Sequence, residues 1–444
     1  MNTYKIGLIS LGCDKNRIDS ELLLGKLNEN NEIVNNPNEA DIIIVNTCGF
    51  IETSKQESID TIIEMAQYKD KNCKMIIATG CLTQRYSKEL QQLIPEIDIM
   101  LGVNDYANIQ DYIDEFFENK NKICKCKYSD VSINEGKRIL TTDKHVAYIR
   151  ISEGCDNFCT YCIIPKIRGK YRSRSIDSIV KEAKELSAMG VKELILVGQD
   201  TAIYGRDIYS ENKLPDLIRA ISEIESIEWI RVLYTYPEEI TDELIEEIKN
   251  NDKVCNYLDI PIQHVSNTVL KRMNRRSTKE IISENIRKMR NEIKDLCLRT
   301  SIIVGFPGET EDEFNELKEF IKEIKFDNLG VFKYSQEEDT AAARMKDQIS
   351  EEIKESRLEE LMIIQQQVSK EKNKNKIGKV YKVLIEGHND EYWIGRNYQM
   401  TPEIDGAIFF KCDKILNVGE FIYIKITDAL EYDLIGVVCD ESGQ

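Results

Sequence analysis

The segment Glu153-Gly154-Cys155-Asp156-Asn157-Phe158-Cys159-Thr160-Tyr161-Cys162 carries three thiols spaced C-x3-C-x2-C. It follows an apolar run, residues 146–151, that reads as a strand. A loop of this kind can fold three sulfurs around one metal centre. Three thiolates suit a [4Fe–4S] cube, because four irons with three protein ligands leave one iron open to a substrate or cofactor. A structural zinc would want four protein ligands, and no fourth Cys or His stands nearby in the sequence.

A second set of thiols emerges from the elements that must position it. Residues 4–10, 42–46, 75–79 and 97–101 read as strands, and 18–27 and 54–67 as helices, the latter with Ile59, Ile62, Ile63 and Ala66 on one face. The alternation predicts a flavodoxin- or Rossmann-like parallel sheet for a first domain, 1–139. Cys13, Cys48 and Cys81 each follow one of the first three strands, and each has a glycine neighbour: Gly12, Gly49, Gly80. The carboxyl ends of parallel strands share one edge of the sheet. Three cysteines distant in sequence therefore arrive at one rim, a second three-thiolate site with an open iron. Cys124 and Cys126 form a C-x-C that could bind a metal. Cys73, Cys255, Cys297, Cys412 and Cys439 are isolated and read as packing residues or exposed thiols.

Residues 140–372 alternate again, with strands expected at 146–151, 194–197, 230–234, 257–260, 298–304 and 329–334. Ile176, Ile179, Val180, Ala183 and Leu186 mark a helix that stops at Gly190, and capping boxes are expected at Ser277/Glu280 and Thr310/Glu313. Six βα units are too few for a closed eight-stranded barrel, so an open, partial (β/α)6 barrel is expected. Its strand ends should carry the ligand-binding loops. These are Gly198-Gln199-Asp200, then Pro261-Ile262-Gln263-His264, then Gly305-Phe306-Pro307-Gly308-Glu309, with Glu309 opening the next helix. His264 is a candidate for proton transfer or for a merely orienting hydrogen bond. Arg168, Lys170, Arg172 and Arg174 form a basic cluster that could meet a phosphate or carboxylate, or stay as a solvated loop. Residues 351–375 read as a charged, solvated linking helix. In 376–440, strands at 380–386, 392–397, 409–412 and 421–429 predict a small β-barrel.

Cys155, Cys159 and Cys162, with Tyr161 before the last, resemble the signature of the radical S-adenosylmethionine enzymes. The resemblance implies that the open iron binds the amino and carboxylate groups of S-adenosylmethionine. One electron then splits the cofactor into methionine and a 5′-deoxyadenosyl radical. It implies cofactor contacts from Tyr161, Gly198, Gln199, Asp200, Gln263, Gly305 and Glu309. Leu11-Gly12-Cys13-Asp14-Lys15-Asn16, Asn46-Thr47-Cys48-Gly49-Phe50-Ile51 and Gly80-Cys81-Leu82 look like the first domain of the methylthiotransferases. Lys15-Asn16, Cys48-Gly49-Phe50, the wording from Tyr334 to Ala343, and Gly395-Arg396-Asn397 resemble the branch that modifies a ribosomal protein. Asp14 and Ser175 depart from the family, which usually has proline at both places. The last domain resembles the TRAM module.

The activity so implied is transfer of a methylthio group to the β-carbon of an aspartate in small-subunit ribosomal protein S-twelve. It would use two [4Fe–4S] clusters, S-adenosylmethionine and an external electron donor. The same chemistry on an adenosine of tRNA is the alternative, and a non-catalytic two-cluster electron carrier is a second one; a carrier would need none of the three loops. The chain's formal charge is −18, and residues 376–440 hold seven Lys/Arg against eleven Asp/Glu. That balance disfavours nucleic acid and fits a basic protein partner. The sequence has no signal-like start and no apolar run of membrane-spanning length, so a cytoplasmic location is expected. Thirteen cysteines in a reducing compartment point to metal rather than disulfides.

Overall fold

The computed structural model describes residues 3–104, 106–128 and 133–439. Residues 1–2, 105 and 129–132 of the expected first domain, and residue 440 of the last, lie outside the described residues.

The first sheet holds β1 (Lys5–Ser10), β2 (Glu32–Ile33), β3 (Ile42–Thr47), β4 (Met75–Gly80), β5 (Ile99–Leu101) and β6 (Ile123–Lys125). It runs parallel throughout in the order β2-β1-β3-β4-β5-β6. Burial on both faces explains the unbroken apolar run of Ile42–Val45. One face packs Ile6, Ile44 and Ile77 against α1 (Asp14–Leu27) and α4 (Ile109–Asn119). The other packs Ile43, Val45 and Ile76 against α2 (Glu52–Ala66) and α3 (Cys81–Leu93). The sheet is thus doubly wound, as the alternation predicted. It has six strands, not four: β2 and β6 are two- and three-residue edge strands, too short to show a pattern. The helix expected at 18–27 begins at Asp14, directly after Cys13. Its first turns bury Lys15, Asn16, Asp19 and Glu21 at a domain junction, so polar residues there hid the helical period.

The second sheet is open and parallel, as expected, with β7 (Val146–Arg150), β10 (Glu193–Val197), β11 (Trp229–Val232), β12 (Val254–Asp259), β13 (Cys297–Val304) and β14 (Asn328–Lys333). A short antiparallel ribbon, β8 (Ser152–Glu153) with β9 (Arg172–Ser173), brackets the three-cysteine loop. The capping box at Thr310 and Glu313 forms. Its helix starts at Glu311, so Glu309 lies before the cap rather than in the helix. The other expected box does not form: Thr278 is the cap, and the Ser277 hydroxyl turns to Glu238. The helix Glu351–Lys374 is more than a solvated link. Leu361 is fully buried, Gln365 Nε2 donates to Phe326 O at 3.1 Å, and Arg357 reaches Glu309.

The third sheet is a closed barrel, ordered β15 (Val380–His388), β16 (Trp393–Arg396), β17 (Ile408–Lys411), β19 (Leu434–Val438) and β18 (Phe421–Ala429). The unexpected β19 pairs parallel with β17 and antiparallel with β18, which closes it. The barrel docks on the second sheet through a buried carboxylate. Glu193, at the start of β10, takes Arg231 Nε at 2.7 Å and Arg396 Nη2 at 2.7 Å. Beside it, Trp229 stacks edge-on against Phe421, with ring centroids 4.8 Å apart. Among the described residues, no helix is long and apolar enough to cross a membrane.

Candidate functional site: two facing cysteine centres

The chain passes from β7 through β8 into the loop Gly154–Tyr161, which neighbouring segments hold on several sides. Cys155 N donates to Gly169 O at 3.0 Å, Thr160 N to Met273 O at 3.0 Å and Ala342 N to Thr160 O at 2.8 Å. Cys162 N bonds Cys159 O at 2.9 Å, and the three thiols stand within each other's electrostatic reach. Burial, with Asp200 and Cys159 nearby, pushes the Cys155 thiol up to about 11, and burial raises Cys162 further. Thiols so raised ionise only when a metal displaces the proton.

The rim of the first sheet gathers the other three. Cys13 caps α1, Cys48 follows β3 and Cys81 opens α3. A side chain on Gly12 would lie 2.9 Å from Cys48 Cβ, and one on Gly49 would lie 2.8 Å from the Leu82 backbone. Glycine is what lets these loops close on one another. Cys48 and Cys81 are buried while Cys13 is exposed, and burial lifts Cys81 to about 12. Beside Cys13 opens a cavity of about 300 Å³, lined by Asp14, Arg17, Tyr148, Tyr234 and Glu403 from all three sheet units. Arg17 closes one side of it with two bonds to Glu403, at 3.0 and 2.8 Å. Among the described residues, no three His, Cys, Asp or Glu side chains converge tightly enough to hold a single metal ion. A cube with its ligands on three separate irons does not need that convergence.

In the basic cluster Lys170 is exposed, whereas Arg168 is buried and pairs with two protein carboxylates, Asp19 and Glu153. Its guanidinium is buried between the two cysteine sets. Nη1 bonds Glu153 at 3.0 Å; Nη2 bonds Asp19 at 3.0 Å, Asn16 Oδ1 at 2.6 Å and Cys81 Sγ at 3.6 Å. Arg150 ties Asp19 and Glu153 together at 2.6 and 2.8 Å, and Gln199 Nε2 donates to Glu153 at 2.9 Å. Burial alone would raise Glu153, but Arg168 and Arg150 outweigh it and hold the carboxyl at about 2. Ile163 and Ile167 pack on Cys81 alongside this network.

The strand-end loops meet the three-cysteine loop from the barrel side. Asn157 Nδ2 bonds Asp200 Oδ2 at 2.9 Å and Cys155 Sγ at 3.5 Å. Burial lifts the Asp200 carboxyl to about 7. Gly198 backs onto Ser152, where a Cβ would lie 2.5 Å from the hydroxyl. Gln263 sits at φ +67°, a costly conformation for a non-glycine residue. It is pinned by Gln263 N to Ser301 O at 2.9 Å and Ile303 N to Gln263 O at 2.8 Å. Tyr161 packs edge-on against Phe306, next to Gly305. Glu309 is held by its own loop and by the helix Glu351–Lys374: Phe306 N bonds it at 3.2 Å and Arg357 Nη1 at 2.7 Å, and burial raises it to about 7. His264 is fully buried and held near 3, hence neutral. Its Nδ1 accepts from Ser266 N at 3.0 Å, a brace for the turn into the next helix.

Two buried acceptors, Asp200 Oδ1 and Gln199 Oε1, have no hydrogen-bond partner among the described residues. Neither do two buried donors, Arg275 Nε and Nη1, on a guanidinium stacked 4.0 Å over the Tyr236 ring. Tyr236 OH in turn lies 3.7 Å from Cys159 Sγ. Unpaired acceptors and donors beside one thiol set fit the amino and carboxylate ends of an amino-acid cofactor. The sequence reading missed Arg275 and the Tyr234-Thr235-Tyr236 segment. Tyr234 OH meets Asp14, next to Cys13, at 3.2 Å, while Tyr236 meets Cys159. Two tyrosines at strand spacing beyond β11 were the available signal. The C-x-C thiols lie 3.9 Å apart on edge strand β6 and its exit.

Comparison with known proteins gives three family matches: the radical SAM superfamily over residues 149–321, uncharacterized protein family UPF0004 over 5–102, and the TRAM domain over 377–439. Two proteins described as ribosomal protein uS12 methylthiotransferase RimO align over the whole of this chain and of their own. That of Clostridium novyi is 83% identical over 444 residues, and that of Clostridium tetani 60% over 442. A solved radical S-adenosylmethionine methyltransferase, TsrM from Kitasatospora setae, shares the fold with TM-score 0.56 at 12% identity. The match covers 74% of this chain and 72% of that one.

Proposed function

We propose a function from this premise: the chain belongs to the radical S-adenosylmethionine methylthiotransferases that act on ribosomal protein uS12. Its reaction is the addition of a methylthio group to that protein, at the β-carbon of an aspartate. The observation that carries the reading is the pairing of two three-thiol centres across one strand end, with Tyr234 reaching the Cys13 side and Tyr236 touching Cys159. A sulfur-holding site beside a hydrogen-abstracting site is what insertion of sulfur into a C–H bond requires.

Cys155, Cys159 and Cys162 would hold the [4Fe–4S] cluster that the superfamily implies, and Cys13, Cys48 and Cys81 a second one. When bound, S-adenosylmethionine and the first cluster supply, on one-electron reduction, the radical that removes the hydrogen. Asp200 and Gln199 would take the cofactor's ammonium and Arg275 its carboxylate, as their unpaired buried atoms favour. Tyr161, Gly198, Gln263 and Gly305 line the strand ends around them. Glu309 and His264 brace their loops rather than meet the cofactor directly. Asp200→Asn should weaken S-adenosylmethionine binding by about 10–100-fold, the worth of a charged hydrogen bond. Equilibrium dialysis reads this directly, and unchanged affinity would remove Asp200 from the cofactor site.

The last domain, with its excess of acidic side chains, suits a basic ribosomal protein better than an RNA. The deciding experiment supplies anaerobically reconstituted protein, reductant, sulfide and S-adenosylmethionine. The acceptor is either a peptide from the aspartate loop of uS12 or unmodified tRNA. Mass spectrometry should find the added methylthio group on the peptide and none on the tRNA; the reverse would overturn the substrate assignment.

A further inference from the structure

Arg168 lies between the two cysteine sets, touching Cys81 on one side and Glu153 on the other. It is 1% exposed, and its guanidinium contacts one side chain of the rim set and the carboxylate that opens the loop of the other. Toward the rim, Nη2 points at Cys81 Sγ, 3.6 Å away, and at Asn16 Oδ1, which also accepts from that sulfur at 3.5 Å. Asn16 is itself fixed by Nδ2 bonds to Leu11 O at 3.0 Å, two positions before Cys13, and to Thr47 O at 2.9 Å, one before Cys48. Toward the barrel, Nη1 meets Glu153, whose other oxygen holds Gln199 of the cofactor-facing loop. Two carboxylates, Asp19 and Glu153, answer two guanidiniums, Arg150 and Arg168. The network is therefore neutral overall. Arg168 is the member whose N–H reaches a sulfur.

We infer that Arg168 is a positioning residue that couples the two centres: it holds the rim cysteines against the barrel and raises the reduction potential of the cluster on Cys13, Cys48 and Cys81. The inference rests on the proposal that those cysteines carry a cluster. The physical reason is direct. Reduction adds negative charge to a cluster, and a buried cation with an N–H on a ligand sulfur stabilises the reduced form. The effect is local, because among the described residues Arg168 bonds Cys81 and none of Cys155, Cys159 and Cys162.

The test is a potentiometric titration, followed by electron paramagnetic resonance, of reconstituted full-length protein. Arg168→Gln should move the rim cluster to a more negative potential and leave the Cys155 cluster where it was. Arg168→Lys, which keeps the charge, should restore most of that shift. Asp19→Asn removes a counter-charge and should move the rim cluster the opposite way, so the inference stands or falls even if Arg168→Gln does not fold. A rim potential unmoved in these variants, at full iron content, overturns the inference alone. The control is Cys13→Ser/Cys48→Ser/Cys81→Ser, which should lose about half the iron, one of two cubes. Full iron in that control would overturn the second cluster, and the inference with it.

Discussion

Cys159→Ala is expected to stop reductive cleavage of S-adenosylmethionine. Formation of 5′-deoxyadenosine should fall by more than about 100-fold, beyond the 10–100-fold cost of losing only an outer partner of a metal ligand. The thiol sits in a loop held by Met273, Ala342 and Gly169, so its loss should leave the fold in place. The rim cysteines are on another sheet, so methyl transfer to sulfur there should survive. Cys81→Ala should show the complement: cleavage continues, and the methylthio product disappears. Chromatography of 5′-deoxyadenosine alongside mass spectrometry of the peptide separates the two. Undiminished cleavage in Cys159→Ala would overturn the assignment of the first cluster's ligands.

Glu193→Ala should undock the C-terminal barrel. Glu193 is fully buried and is shared by Arg231 and Arg396, which carry further bonds to Tyr398 O at 2.7 Å and Met400 O at 2.7 Å. Removing it leaves the buried Arg231 guanidinium without its carboxylate, while Arg396 keeps Glu386 at 2.6 Å, and breaking a buried pair from one side costs about 3–5 kcal/mol. Trp229 reports the event, because it is 5% exposed and stacked on Phe421 of the barrel. Its fluorescence should shift to the red at lower urea than in the parent. The same contact sets a pH dependence. Burial alone would raise the Glu193 carboxyl, but Arg396 and Arg231 hold it below its ordinary value of 4.5. A depressed carboxylate contributes its full stability above the unfolded value and loses it as pH falls through the folded one. Docking should therefore be constant above about pH 4.5 and weaken below it. A Trp229 signal in Glu193→Ala that tracks the parent in urea would refute this account.

The sequence by itself determined a good deal. Alternating apolar runs and helical periods decided the parallel sheets, because burial on both faces imposes continuous Ile and Val runs. The C-x3-C-x2-C spacing placed three thiols in one loop, since a loop of that length keeps its sulfurs together whatever surrounds it. Cys13, Cys48 and Cys81 could be expected at one rim because parallel strands end on the same edge. Edge strands β2 and β6 escaped because two- and three-residue segments carry too little pattern to separate from turns.

Only the tertiary structure decided how the two centres face each other. Arg168 could be read as meeting a phosphate or carboxylate or as part of a solvated loop, since nothing local to the Gly169-Lys170-Tyr171 stretch marks it as buried. Its partners Asn16, Asp19 and Cys81 lie 87 or more positions away in the chain. Glu193 and Arg396 likewise meet across 203 positions. Periodicity reports which face of an element is buried, and it carries no information about which distant charge waits there. Buried charges are retained only where a partner arrives to compensate them, and that arrival is a property of the packed domains.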